Sequence, residues 1–130
     1  MKYILLIYGD ERRWQSMSQD DMQKIYAGHR AYGEAMTKAG VMRGGSELKP
    51  VSTATSVRFT NGKPATLDGP FAETKEQLGG ILILEATDLN HAIRLISKHP
   101  GLKIGPFEIR PGEDISAVVT ESERRRSHAG

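Results

Sequence analysis

Cysteine is absent from the 130 residues, which excludes a disulfide framework, a thiolate zinc site, an iron–sulfur cluster and a cysteine nucleophile. Chemistry is left to His, carboxylates, hydroxyls and Arg. Long apolar runs are missing too. The run Tyr3–Tyr8 is six residues long and stops at Gly9-Asp10-Glu11-Arg12-Arg13, too short for a secretory leader and far below the ~20 residues of a spanning helix. A soluble, cytoplasmic protein with no membrane partner is the expectation. The four histidines, at 29, 91, 99 and 128, show no HExxH or paired spacing, so no protein metal site is expected. No P-loop or GxGxxG occurs, and Ser46 lacks the second glycine of a nucleophile elbow. No cofactor is therefore expected, and any reaction would be a cofactor-independent acid/base step of an isomerase, lyase or hydrolase.

What is there suits one domain, because two cores would need a longer chain. Residues 2–8 read as a buried strand. Ser18 followed by Asp21 resembles a capping box and opens a helix whose Met22, Ile25, Tyr26, Tyr32 and Met36 recur every three or four residues, with Gly40 as its stop. Gly28 and Gly33 inside this helix each cost roughly 1 kcal/mol relative to Ala and point to close packing or to a ligand. Residues 41–53 read as a Gly-, Ser- and Pro-bearing connection. Residues 56–60 and 63–68, joined by Asn61-Gly62, read as a hairpin. Ile81–Ala86 is a second buried strand, Asp88 caps a second helix that ends at Pro100-Gly101, and Phe107 and Ile109 alternate with Glu108 and Arg110 in a last strand that opens with Pro106 and closes at Pro111. The order is that of an α+β, ferredoxin-like β-α-β-β-α-β domain over residues 1–111, with an added hairpin strand. Residues 112–130 form a C-terminal extension, disordered at its end. Two strands that are apolar on both faces, in a sheet with helices on one side, predict a homodimer packed sheet to sheet.

The formal charge of +2 and pI near 9.0 suggest a nucleic-acid partner at first sight. Arg124-Arg125-Arg126 lie in the extension, and removing those three charges turns +2 into −1. A nucleic-acid partner is therefore not expected.

The segment Asp68-Gly69-Pro70-Phe71-Ala72-Glu73-Thr74-Lys75-Glu76-Gln77-Leu78-Gly79-Gly80 resembles the signature of the YCII-related family, in its DGPF-domain branch. The resemblance extends through Lys2 to Asp10, Ala39-Gly40-Val41 with Gly44-Gly45, and Glu108-Ile109-Arg110-Pro111. It implies a dimeric α/β barrel, in which two sheets face each other and enclose clefts. That architecture hosts unrelated chemistries, so the fold by itself selects none. Genes of this branch often neighbour those of alternative sigma factors, which implies a second reading: a non-catalytic dimeric module linked to transcription regulation.

His29 lies seven residues after Met22 and seven before Met36, within the apolar stripe of the first helix. It stands eleven residues before Gly40, the relation that, by resemblance, makes it the counterpart of a proposed active-site histidine. There it would act as general acid or base, or else be a satisfied core histidine. Asp68 would orient His29, within ~3.2 Å or through one water, or receive a substrate proton at the cleft mouth, or else hold the Gly69-Pro70 turn by accepting from the Phe71 N–H. Arg43 would grip a substrate carboxylate or form a surface ion pair. Tyr8 and Phe71 would line an apolar substrate pocket or pack in the core, and Trp14 would cover the cleft or the dimer. His91 and His99 fit structural roles at helix ends. The expected ligand is a small anionic or carbonyl-bearing metabolite in an inter-sheet cleft.

Overall fold

The computed structural model describes residues 1–129, with the side chain of Ala129 excluded. Gly130, part of the extension expected to be disordered, lies outside the described residues. The chain runs β1 (Lys2–Gly9), α1 (Glu11–Gln15), α2 (Gln19–Lys38), β2 (Met42–Glu47), β3 (Thr55–Thr60), β4 (Lys63–Asp68), β5 (Gln77–Glu85), α3 (Leu89–Ile96), β6 (Phe107–Pro111) and α4 (Ser116–Ala129). Four strands form an antiparallel sheet in the order β2-β5-β1-β6, while β3 and β4 pair only with each other. The protein is thus an α+β fold with a four-stranded antiparallel sheet, helices, and a separate β-hairpin.

The hairpin is where the sequence reading needs correction. The second strand of the sheet is not the hairpin but Met42–Glu47, inside the stretch read as a connection. Its sequence, MRGGSE, has no apolar alternation, because it is an edge strand pressed against β5. A side chain at Gly45 would stand 2.7 Å from the Ile81 carbonyl and 2.7 Å from Leu82, so the glycine that hides the strand from pattern reading also lets it approach. The hairpin itself forms as expected: Asn61 and Gly62 both take positive φ, at 52° and 77°, as a two-residue type I′ turn requires. It projects from the body, with Val57, Phe59 and Leu67 exposed.

Alternation along the strands divides the sheet into two faces. Tyr3, Leu5, Leu84 and Ala86 point towards the helices and form the core with Tyr32 and Met36 of α2 and Ala92, Leu95 and Ile96 of α3. Leu5 and Leu84 are fully buried. Ile4 and Leu6, registered against Ile83 and Ile81, point the other way and are half-buried in the single chain.

The two core helices, α2 and α3, begin as their sequences dictate. Ser18 accepts a hydrogen bond from the Asp21 N–H and Asp88 accepts one from the His91 N–H, each satisfying an amide that the helix leaves free. Residues 116–129, where disorder is expected from 121 onward, are helical in this structure. Glu121 pairs with Arg124 and Arg125 one turn on, which supports a solvated helix by a few tenths of a kcal/mol per pair. No described helix is long and apolar enough to cross a membrane.

Candidate active site

Helix α2 lies along the sheet and changes character partway. Its second half buries Tyr32 and Met36 in the core. Its first half stands off and leaves a cleft of about 580 Å³, walled by Met22, Tyr26 and His29 on one side and by Ile7, Met42 and Leu82 on the other, with Trp14 of α1 at its edge. The two helix glycines have different roles, Gly28 in close packing and Gly33 on the cleft side of the helix. A side chain at Gly28 would press within 3.2 Å of Pro100, whereas nothing lies within 4 Å of one at Gly33, which faces the cleft. The rim is tied together by Glu11, whose carboxylate accepts from the Val51 N–H at 2.8 Å and whose own N–H donates to Gln77 Oε1 at 2.9 Å.

His29 is the chemically distinctive group of the wall. Its Nδ1 lies 3.1 Å from Glu47 Oε1, while its Nε2 is buried with no hydrogen-bond partner. A carboxylate acceptor places the proton on Nδ1. The orphaned Nε2 then carries a lone pair, which costs less to bury than an unpaired N–H. The His29 ring packs 5.0 Å from that of His99, which in turn packs 4.6 Å from Tyr32 and 5.0 Å from Phe107.

His99 has the opposite arrangement. Its Nδ1 accepts the Gly101 N–H at 2.9 Å, so its proton sits on Nε2. Burial, with a smaller contribution from His29, pulls its pKa down to about 4, and it is neutral at pH 7. It therefore brings no positive charge to the end of α3. Tyr32 is held protonated, its pKa pushed up to about 12 by burial, and its hydroxyl donates to the Leu95 carbonyl at 3.0 Å. Neither neighbour competes with His29 as a base.

The residues singled out in the sequence are distributed unevenly. His29 and Tyr8 line the cleft, and so does Trp14. Asp68 ends β4 on the hairpin, exposed and registered against Thr55, and does not line the cleft. The carboxylate on His29 is Glu47. The turn after Asp68 is held instead by the Gly69 N–H donating to the Ala54 carbonyl and by the Ser56 hydroxyl donating to the Gly69 carbonyl, both at 2.7 Å. Phe71 is exposed beside the hairpin, with the Arg58 guanidinium 6.0 Å from its ring centre. Arg43 donates to the Gly40 and Met42 carbonyls and lies 3.9 Å from Glu85, so it closes the end of α2. Glu47 is not singled out by the sequence, and His99 is read from it only as a structural residue. Glu47 sits in the strand that glycine disguises, and His99 precedes Pro100-Gly101, which signals only a helix end. Among the described residues no group of three metal-ligating side chains converges.

Residues 1–115 match the YCII-related domain. The chain belongs to the YCII-related family. The match ends where α4 begins. An uncharacterised protein of Rhizobium meliloti (strain 1021) is 30% identical over 115 residues, which span 85% of this chain and 91% of the relative. In this YCII-related chain the matched region therefore contains the sheet, α2 and every residue of the His29 cleft.

Proposed function

We propose that the cleft between α2 and the sheet binds a small molecule and that His29 acts there as a general base, oriented by Glu47. The observation that carries this reading is the split environment of one imidazole: Nδ1 held by a carboxylate, Nε2 without a partner, in the wall of an apolar cleft. Nε2 is sealed by its neighbours in this structure, so a bound molecule reaches it once those side chains move aside; the ring then takes the proton on Nε2, and Glu47 stabilises the imidazolium that results. The proton can return to another atom of the same molecule, so an isomerisation or an elimination needs nothing beyond these residues. The finding that Glu47 holds the imidazole gives the His29–Asp68 pairing no support.

A base in an apolar cleft is testable without the natural substrate. Ring opening of 5-nitrobenzisoxazole requires only removal of one proton and releases a coloured phenolate. Turnover above the buffer rate, lost in His29→Gln and reduced in Glu47→Gln, is the expected result. Equal rates for wild type and His29→Gln would exclude the base and favour a non-catalytic binding role.

We further propose that the functional unit is a dimer in which a second copy covers the open sheet face, completing the α/β barrel implied by the DGPF-branch signature. Ile4, Leu6, Ile81 and Ile83 give that face an apolar centre, while Glu108 and Arg110, paired at 3.2 Å, give it a polar edge. Light scattering on the purified chain should return twice the 14.3 kDa monomer mass, and Ile83→Arg should return one.

A further inference from the structure

The charge lining the cleft is all of one sign. Glu11 and Glu47 both contribute to its wall, and no Lys or Arg among the described residues does. The nearby cations are engaged elsewhere. Arg12 pairs with Asp10, Arg13 donates to the Ile104 carbonyl, and Arg43 is committed to Gly40, Met42 and Glu85. His29 is the remaining basic group, and when protonated it is already matched by Glu47 at 3.1 Å, which leaves Glu11 unbalanced. The Val51 N–H that Glu11 accepts orients the carboxylate without neutralising it. Trp14, Tyr26 and Tyr32 add aromatic side chains to a lining whose other polar groups, Gln15, Ser46, Gln77 and His99, carry no charge at pH 7.

Resting on the reading that this cleft binds a small molecule, we infer that its ligand class is an apolar, ring-bearing amine, and that the cleft discriminates against carboxylates and phosphates. This reverses the anionic metabolite expected from Arg43. An anion entering here loses water, finds no cation, and meets two carboxylates of its own sign, a juxtaposition that disfavours the wrong partner strongly. An ammonium group meets the carboxylates and the aromatic faces, both of which attract cations. The volume of about 580 Å³ is within the ~300–1,000 Å³ typical of small-molecule sites.

Three probes with a common naphthalene body isolate the charge: 2-naphthylmethylamine, 2-naphthalenemethanol and 2-naphthoate. Each is titrated into the full chain while the indole N–H resonance of Trp14, the single tryptophan, is followed. The amine should bind at least roughly tenfold more tightly than the carboxylate, with the alcohol between them. Glu11→Gln with Glu47→Gln, which keeps both acceptor oxygens, should collapse that order. If the double variant does not fold, raising the salt on the wild type should narrow the gap between amine and carboxylate. A carboxylate that binds as tightly as the amine overturns the ligand class and leaves the cleft as a binding site. If none of the three perturbs Trp14, both the ligand class and the binding reading fall.

Discussion

The two halves of α2 meet the same sheet with opposite results. In the second half Tyr32 and Met36 pack with Tyr3, Leu5 and Leu84 in the core, and only Tyr32 and Gly33 also border the cleft. From Met22 to His29 it leaves a cleft, and the side chains facing that cleft include an imidazole with an unmet hydrogen-bonding position. Apolar spacing is continuous through both halves, so the difference does not come from hydrophobicity. It comes from what the sheet and the next elements supply. Large side chains fill the space beneath the second half, while glycines 45, 79 and 80 line the cleft beneath the first. Close packing is the default of a protein interior, and a helix that is held off its sheet along half its length marks where stability was not the organising requirement.

The largest expected effects break the filled half. Leu5→Ala or Leu84→Ala removes a fully buried side chain and should lower stability by about 2–5 kcal/mol in urea titrations, with the Trp14 environment at the cleft unchanged in the folded fraction. Next comes the boundary between the halves, where His99 sits. Its folded pKa of about 4 lies below the ~6.5 of an unfolded histidine, so the unfolded chain binds the extra proton between those values. The stability it confers is complete above about pH 6.5 and is lost as pH falls towards 4, by roughly 3 kcal/mol over the interval. Asp10, Glu85 and Asp114, whose pKa values are lowered by Arg12, by the N-terminal amine and by Ser116 respectively, lose their contributions lower on the pH scale. Unfolding measured at pH 5 and pH 7 should therefore differ in the wild type and differ much less in His99→Gln.

The helix starts and the core spacing were the more legible features of the sequence. Ser18, the apolar spacing to Met36, and Asp88 all encode local physics that tertiary contacts then reinforce, and the structure follows them. Tertiary causes were not legible. Met42–Glu47 is a strand because β5 offers it a ladder of hydrogen bonds, and nothing within its six residues announces that. A strand that its own residues do not announce hides the approach of Glu47 to His29, whereas the resemblance makes Asp68 the prominent carboxylate. His99 illustrates the same limit: its spacing to Pro100 indicates a helix end, whereas its neutrality follows from burial against Phe107 and against Tyr32 and His29, the last two far away in the chain.

Two smaller perturbations sharpen the contrast. Gly33→Ala has open space around the added methyl, so the helix should gain about 1 kcal/mol while the cleft narrows. Gly28→Ala sets the same intrinsic gain against a 3.2 Å contact with Pro100, and should therefore be the less stable of the two variants. If thermal unfolding ranks them the other way, the cleft side of α2 is packed more tightly in solution than its geometry indicates.

The smallest effect on stability belongs to Glu47→Gln. Glu47 is largely exposed, and exposed ion pairs contribute about 0–1 kcal/mol, so the variant should unfold within that margin of the wild type. Its consequence for His29 is of a different kind. A glutamine side chain can present either its oxygen or its amide N–H to Nδ1, so the carboxylate's hold on a single tautomer is lost. Nitrogen-15 chemical shifts of the imidazole should show His29 as the Nδ1–H tautomer in the wild type and as a mixture in the variant, with His99 remaining Nε2–H in both. A His29 that keeps one tautomer after the carboxylate is gone would mean that Glu47 neither orients nor charges the ring. The open half of α2 would then be a binding surface whose histidine is only part of its wall.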